Sequence, residues 1–467
     1  MQFYDTIAAV STPRGKGGVA MIRISGEEAI AVAERVFFPR SGKPLSAVMH
    51  GMSVYGDIRV PLGAPNGGES IDDGLAVAYR APRSFTGENT VEICCHGGIL
   101  VTETVLSAVL SAGARLAEAG EFTRRAFVNG KMALSEAEAL GTLLEAKTES
   151  QMRLSRGGMR GRLTARVEEL AGRLRHILAS VYARIDYPDE ELADLSDEEM
   201  HDLLTALRRE TLALADTYRT GRATMEGINT VICGPANAGK SSLYNLLVGR
   251  EAAIVTDVAG TTRDMLSETV ALGRVTLRLT DTAGLRDTED RVEQIGIARA
   301  REALSAAELV LAVVDGSSPA TEEERELLLS LRERDKGVIL LLNKRDKGAS
   351  ADWEKETEGF VNLLTISLKD EPDAALAEIR TLVEQLFTDG SIDLSTDAVV
   401  MNARQYSALC RANEMLSRAI EAIDLGVSAD IYCTDAEEAL GAYLALEGRD
   451  VGEAVVAEIF SSFCVGK

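Results

Sequence analysis

The chain has little of what builds a metal centre or a membrane anchor. Its 467 residues include six cysteines and four histidines. Cys94, Cys95, Cys233, Cys410, Cys433 and Cys464 show no metal-ligand spacing, and the histidines are scattered. A zinc site is therefore not expected, and the thiols read as the reduced ones of a cytoplasmic protein. No apolar run reaches transmembrane length, and no secretory signal pattern follows Met1, so no membrane partner is expected. Positive charge is also in deficit. Lys and Arg number 50 against 73 Asp and Glu, a formal net charge of −23. That balance excludes a surface that coats nucleic acid broadly, and an RNA partner would need a local basic patch. Hydrophobic content of 46% supports real cores, and the length predicts two or three domains.

One basic patch exists. Arg153, Arg156, Arg160, Arg162, Arg166, Arg173 and Arg175 fall in one stretch that has only Glu168 and Glu169 as acids. Such a patch suits phosphate backbones. Composition alone favours a solvated helix face or a contact with an acidic neighbouring domain.

What is present in strength is a set of nucleotide motifs. GPANAGKS, Gly234 to Ser241, matches G-x-x-x-x-G-K-[ST]. The apolar stretch Ile228 to Cys233 predicts a buried strand before it, and Ser242 to Val248 opens a helix. Glycines at 234 and 239 let backbone N–H groups wrap phosphates. Lys240 supplies a point charge, and the Ser241 hydroxyl suits Mg²⁺. This loop alone indicates only a nucleoside triphosphate.

Three further motifs select the base. Thr261 and Thr262 sit in the glycine-hinged segment TDVAGTTRD, where a switch would bring a threonine to Mg²⁺. DTAG, Asp281 to Gly284, follows the predicted strand Arg274 to Leu279. There an Asp reaches Mg²⁺ through water and a Gly N–H meets the γ-phosphate. NKRD, Asn343 to Asp346, ends the predicted strand Val338 to Leu342. A carboxylate at Asp346 accepts both guanine N1–H and the N2 amino group, a donor pair that adenine lacks. Four motifs in this order, each at a strand end, identify a GTP-binding G domain.

Two residues depart from common G proteins. The position after DTAG, often a water-orienting Gln, is Leu285. Glu293 in RVEQIGIAR is the candidate replacement, with a solvated helix-face glutamate as the equal alternative. Asn237, within the phosphate loop, offers an amide oxygen to a monovalent cation, or merely stabilises the loop.

The surrounding chain divides into distinct patterns. Residues 1 to about 130 alternate apolar and polar over short segments, punctuated by Gly and Pro, which predicts an α+β domain. From Leu134 to about Gly221 the period is helical, and it returns over Asp397 to Ile423 and Asp435 to Phe463. Helices on both sides of an α/β module predict a doubly wound G domain inserted into a helical one. The expected divisions are 1–130, 131–227, 228–387 and 388–467.

Several segments carry a resemblance. DTIAAVSTPRGKGGVAMIRISG, SFTGENTVEICCHGG, GEFTRRAFVNGKMALSEAEAL, IDYPDEE, the G motifs and the terminal FCVGK are similar to the MnmE (TrmE) family along essentially the whole chain. The resemblance implies an N-terminal folate-binding domain that also dimerises, a discontinuous helical domain and an inserted P-loop G domain. It implies work with the flavoprotein MnmG on the wobble uridine of certain tRNAs. An aminomethyl or carboxymethylaminomethyl group is placed at C5, its methylene drawn from a tetrahydrofolate derivative. GTP hydrolysis in the family is stimulated by K⁺.

Residue by residue, the resemblance implies the following. Asn237 and the backbone carbonyls of Thr256, Val258 and Thr261 would hold K⁺. Ser241 and Thr262 would hold Mg²⁺, and Glu293 would orient the attacking water. GTP contacts would come from Asn237, Ala238, Gly239, Lys240, Ser241 and Ser242. The switch would add Thr256, Asp257, Val258, Ala259, Gly260, Thr261 and Thr262, and the strand end Asp281, Thr282, Ala283 and Gly284. Asn343, Lys344, Asp346, Ser367, Leu368 and Lys369 would meet the base. Arg23, Glu92, Lys131 and Lys467 would contact folate. Cys464 matches the family's C-terminal cysteine, either a nucleophile toward uridine C6 or a small packed residue, since no base is identifiable beside it.

There are departures from the family pattern. Pro235-Ala236 replaces the usual Arg-Pro, Leu368 stands where a small residue is usual in the guanine loop, and Cys94-Cys95 are vicinal. The cysteines are expected to be reduced strand residues. Two other classes of function compete: a ribosome-assembly GTPase acting as a binding switch, and a folate-dependent aminomethyltransferase with a vestigial G domain. The second is disfavoured by four intact G motifs.

Overall fold

The computed structural model describes residues 5–186, 196–251, 267–280, 304–332, 334, 337–348, 350, 352–449, 452–461, 463 and 465–466. They form two compact units, one of residues 1–141 with 444–467 and the other of 142–443.

The first unit is built on a seven-stranded sheet. Its strands are β1 (Ile7–Val10), β2 (Val19–Ser25), β3 (Phe37–Pro39), β4 (Ser53–Arg59), β5 (Ser70–Tyr79), β6 (Thr90–His96) and β7 (Arg115–Leu116). Their spatial order is β3-β4-β5-β6-β2-β1-β7, antiparallel except for β1 with β7. Successive side chains of a strand point to opposite faces, so a half-buried sheet needs alternating residues. On β2, Ala20, Ile22 and Ile24 are buried while Met21 and Arg23 are only partly so. The apolar face, with Val91 and Ile93 of β6, packs on α1 (Ala29–Glu34) and α2 (Ile99–Ser111). Cys94 and Cys95 fall on opposite faces of β6 and are free thiols, as expected of vicinal strand residues. Burial pushes the Cys95 thiol up to about 11.

The C-terminal segment belongs to this same unit. Val456 and Phe460 pack with Leu134, Ala137 and Phe127, the last on α3 (Glu121–Val128). The helical pattern predicted over Asp435 to Phe463 is in fact two helices, Ala429–Glu447 and Glu453–Ser461. Gly448, at φ +87°, breaks it, and a Cβ there would lie 2.7 Å from the Phe127 ring. The earlier pattern, Asp397 to Ile423, becomes helical only at Ala403. Asn402 caps that helix, its side chain accepting from the Gln405 N–H at 2.9 Å.

The second unit contains a six-stranded sheet of β8 (Ile228–Cys233), β9 (Ser267–Leu272), β10 (Val275–Thr280), β11 (Leu309–Asp315), β12 (Gly337–Asn343) and β13 (Leu363–Thr365). The order is β13-β12-β11-β8-β10-β9, and only β9 is antiparallel. LVLAVVD and GVILLLN are continuous apolar runs because central parallel strands are covered on both faces. One face packs Ile232, Leu311 and Leu341 with Leu243 and Ile379; the other packs Val310 and Leu340 with Leu328 and Trp353. Ahead of the sheet run the helices Glu149–Met159, Arg162–Asp186, Asp197–Asp216 and Tyr218–Met225, and after it Ala403–Asp424.

The arginine-rich stretch lies on these helices. Arg153 pairs with Glu149, Arg166 with Glu169 and Glu210, Arg173 with Glu210, and Arg175 with Glu168. Four of the seven arginines are thus neutralised by their own chain. Glu210, far off in sequence, is the acid that composition within the stretch did not reveal. Among the described residues, no helix is long and apolar enough to cross a membrane.

Candidate functional site

Two sites emerge, one in each unit. The phosphate loop leaves β8 and enters the helix Lys240–Glu251 at the carboxyl edge of the parallel strands, where doubly wound sheets bind ligands. Two glycines have steric reasons. Gly234 sits at φ +144°, and a Cβ there would lie 2.0 Å from the Val313 carbonyl oxygen on β11. Gly239 sits at φ +119°, and a Cβ would lie 2.2 Å from Asn343 Nδ2. Both leave a cradle open to backbone approach. Asn237 adopts φ +61°, a left-handed conformation that Asn tolerates better than most residues. Lys240 Nζ reaches back over the loop and donates to the carbonyls of Gly234 and Pro235 at 2.8 and 2.6 Å.

Asn343 joins the phosphate loop to the base-recognition loop. Its Nδ2 donates to the Ala238 carbonyl at 2.8 Å, and its Oδ1 accepts the Leu368 N–H at 3.1 Å. The Leu368 side chain is buried in the core cluster and lies against the phosphate loop, where a Cβ on Gly239 would be 3.4 Å from its Cδ1. Lys344, at φ +67°, is tied to Asp315 at the end of β11. Burial pushes the Asp315 carboxyl up, but Lys344 and Ser317 outweigh it and hold it below the usual carboxylate range. Asp346 accepts a hydrogen bond from Ser367 Oγ at 2.7 Å, and this bond depresses its pKa. The exposed carboxylate therefore stays charged and fixed in orientation at neutral pH. Thr256 to Thr262, Asp281 to Gly284, Leu285 and Glu293 lie outside the described residues.

In the first unit, Arg23 of β2 and Glu92 of β6 stand opposite each other in register. Arg23 donates to Glu92 Oε1 through Nε at 2.9 Å and Nη2 at 2.8 Å. The side chains are only 15% and 19% exposed, so the pair is shielded well beyond a surface ion pair. The Arg23 guanidinium lies 5.5 Å from the Phe85 ring centre and 5.7 Å from that of Phe122. Tyr79 is nearby on β5: burial pushes its hydroxyl pKa up and the Glu92 charge adds to the shift. Lys131 donates to the Pro82 carbonyl at 3.0 Å, at the start of the loop that carries Phe85. Cys464 and Lys467 lie outside the described residues, but their neighbours are placed. Ser11 Oγ donates to the Gly466 carbonyl at 2.9 Å, and Val465 bridges to Ala119. The tail is therefore stitched to the end of β1 and to the turn before α3. Sequence patterns missed Tyr79, Phe85 and Phe122; their only signal was aromatic character near the cationic strand.

Among the described residues, Asp72, Asp73 and His96 also bring ligand atoms close together. His96 Nδ1 is 2.8 Å from Asp72 Oδ1, and that bond raises the imidazole pKa. The arrangement is a self-contained pair on an exposed strand end.

Comparison with known proteins covers the whole chain. A family described as GTP-binding protein TrmE N-terminus matches residues 6–131, and one described as MnmE helical domain matches residues 134–464. The tRNA modification GTPase MnmE of Bacillus mycoides (strain KBAB4) is 40% identical over 467 residues, 99% of this chain and 100% of its own length. That of Symbiobacterium thermophilum is 40% identical, covering 99% of each chain. That of Clostridioides difficile (strain 630) is 37% identical, again covering 99% of each.

Proposed function

The chain belongs to the MnmE (TrmE) family, and from that premise we propose that it is a GTP-hydrolysing enzyme of tRNA modification. It acts at C5 of the wobble uridine of certain tRNAs, with a flavoprotein partner and as a homodimer, in the cytoplasm. The observation that carries this reading is a carboxylate, Asp346, held by Ser367, and a glycine-lined phosphate loop within a chain similar to MnmE proteins over 99% of its length. Cells lacking the chain should lose the C5 group from those uridines.

The residues divide the work. Asp346, steadied by Ser367, accepts the guanine N–H groups. Asn343 fixes the spacing between base and phosphates by holding Ala238 and Leu368 together. Lys240 exchanges two loop carbonyls for phosphate oxygens when nucleotide enters. Ser241 and Thr262 would hold Mg²⁺, and Asn237 with the carbonyls of Thr256, Val258 and Thr261 would hold K⁺; the two ions would supply positive charge against the phosphates. Glu293 orients the attacking water in place of the Gln that Leu285 replaces.

The first unit suits a folate. Glu92 Oε1 takes both Arg23 bonds, so its other oxygen, Oε2, is the acceptor for pterin N–H groups. Arg23, Lys131 and Lys467 complement the carboxylates of a glutamate tail. Phe85, partly exposed beside Arg23, supplies an aromatic face. The bound folate would supply the one-carbon unit, and Cys464 is the candidate thiol for the uridine.

Truncation after Phe463 tests the tail's part. It removes Cys464 and Lys467 along with the two residues stitched to β1 and the turn before α3. Formyl-tetrahydrofolate affinity, measured by titration calorimetry, should fall about tenfold, the value of one charged contact. GTP hydrolysis should be spared, because no G motif is touched. Unchanged folate affinity would remove the tail from the site and leave Cys464 without its setting.

A further inference from the structure

We infer that Arg125, acting through Glu88, is a positioning residue for the Arg23–Glu92 site, and that it does so by fixing the Phe85 ring against Arg23. The inference rests on the folate-binding reading of that site but concerns residues which that reading leaves unassigned.

Arg125 is fully buried on α3, an uncommon place for an arginine unless it is paired. Its Nη1 donates to the Asp5 carbonyl at 2.8 Å and to the Glu88 carboxylate at 3.2 and 3.3 Å. Its Nη2 donates to Asp5 Oδ1 at 2.7 Å and Glu121 Oε1 at 2.9 Å. Arg115 closes the cluster against Asp5 and Glu121. Two guanidinium groups thus balance three carboxylates, and Glu88 is the member that leads toward the ligand face.

Glu88 belongs to the loop that carries Phe85. Its carboxylate also accepts Ser25 Oγ at 2.7 Å, and Ser25 Oγ is 2.7 Å from Thr86 Oγ1. Asn129, one turn beyond Arg125, donates to the Thr86 carbonyl at 2.8 Å. Gly87 sits at φ +79°, where a Cβ would be 3.1 Å from Asn129 Cβ. The loop is therefore gripped on both sides of Thr86, and the residue before it, Phe85, is presented to Arg23. The other ring at Arg23, Phe122, comes from the same helix as Arg125, three residues earlier. One helix thereby fixes both rings around Arg23: Phe122 directly, from the core, and Phe85 through the Arg125–Glu88 pair. Phe85, 37% exposed, is the ring a ligand can meet, and a ring held in place favours a flat heteroaromatic ligand.

Glu88→Gln keeps the shape of the side chain and removes its charge. A ¹⁹F label, 4-fluorophenylalanine at position 85, reads the loop without any ligand. One sharp resonance is expected in the otherwise native chain, and a moved or broadened one in Glu88→Gln and in the milder Ser25→Ala. An unchanged resonance in both would overturn the inference. Formyl-tetrahydrofolate titration gives the second readout. Glu88→Gln and Phe85→Leu should each weaken binding about tenfold, and the double variant no more than that, because coupled residues are non-additive. Losses that multiply to about a hundredfold would mean two independent effects and would also overturn the inference. GTP hydrolysis should be unmoved in Glu88→Gln. A native chain that binds no formyl-tetrahydrofolate would sink the folate reading, while the ¹⁹F spectra would still decide whether Glu88 positions Phe85.

Discussion

Asp346→Asn should exchange GTP for XTP as the preferred substrate. The native carboxylate accepts two guanine N–H donors, and charge-assisted bonds of this type are the strong ones. Xanthine carries an oxygen where guanine has its amino group, so it needs a donor from the protein. An Asn amide supplies that donor. The structure shows why the swap should leave the loop in place: Ser367 Oγ donates to Asp346 Oδ1, and an amide oxygen accepts the same bond. GTP affinity should fall about a hundredfold or more, as when a polar site meets the wrong partner. Competition of XTP against GTP in a hydrolysis assay checks this. A variant that still prefers GTP would refute the role of Asp346.

Hydrolysis should depend on K⁺ and on Glu293. Asn237 is held in a left-handed conformation within the phosphate loop, a place where Asn has a stated advantage over bulkier residues. On the proposed reading its amide oxygen and carbonyls of the TDVAGTT segment would hold K⁺, and the smaller Na⁺ would fit them less well. Leu285 cannot orient water. Glu293→Ala should therefore bind nucleotide normally and hydrolyse it about tenfold or more slowly, since ~1.4 kcal/mol of lost barrier lowering is tenfold. Single-turnover rates in K⁺ and Na⁺ separate the two claims. Equal rates in both ions would remove the ion, and a fully active Glu293→Ala would remove the water-positioning role.

Much of the second unit was legible because its signals are local. Continuous apolar runs predicted β8 and β12 to within a residue of where they fall, and the phosphate loop and NKRD sit at the ends of those strands. The steric logic of Gly234 and Gly239 was likewise visible, though the atoms they avoid, on Val313 and Asn343, belong to distant strands. The first unit was harder. Arg23 and Glu92 lie 69 residues apart and meet only through the register of β2 on β6. Each looks like an ordinary surface charge in its own strand, and only the family resemblance singled them out. Arg125 was invisible for the same reason, since an arginine in a helical pattern reads as solvated until Asp5 and Glu88 are placed around it. Gly448 broke a helix that periodicity extended, because the Phe127 ring it accommodates comes from the far side of the chain. In the arginine stretch, for which composition favoured a solvated helix face or an acidic neighbour, four of the seven arginines pair with Glu149, Glu168, Glu169 and Glu210.

The central claim is that this chain modifies tRNA at the expense of GTP. Nucleoside analysis of wobble uridines in tRNA from cells lacking the chain, with and without a restored copy, tests it most directly. The deficient cells should lose the aminomethyl or carboxymethylaminomethyl group at C5. The native chain should restore it fully and Asp346→Asn poorly. Wobble uridines that keep their C5 groups in the absence of the chain would contradict the claim.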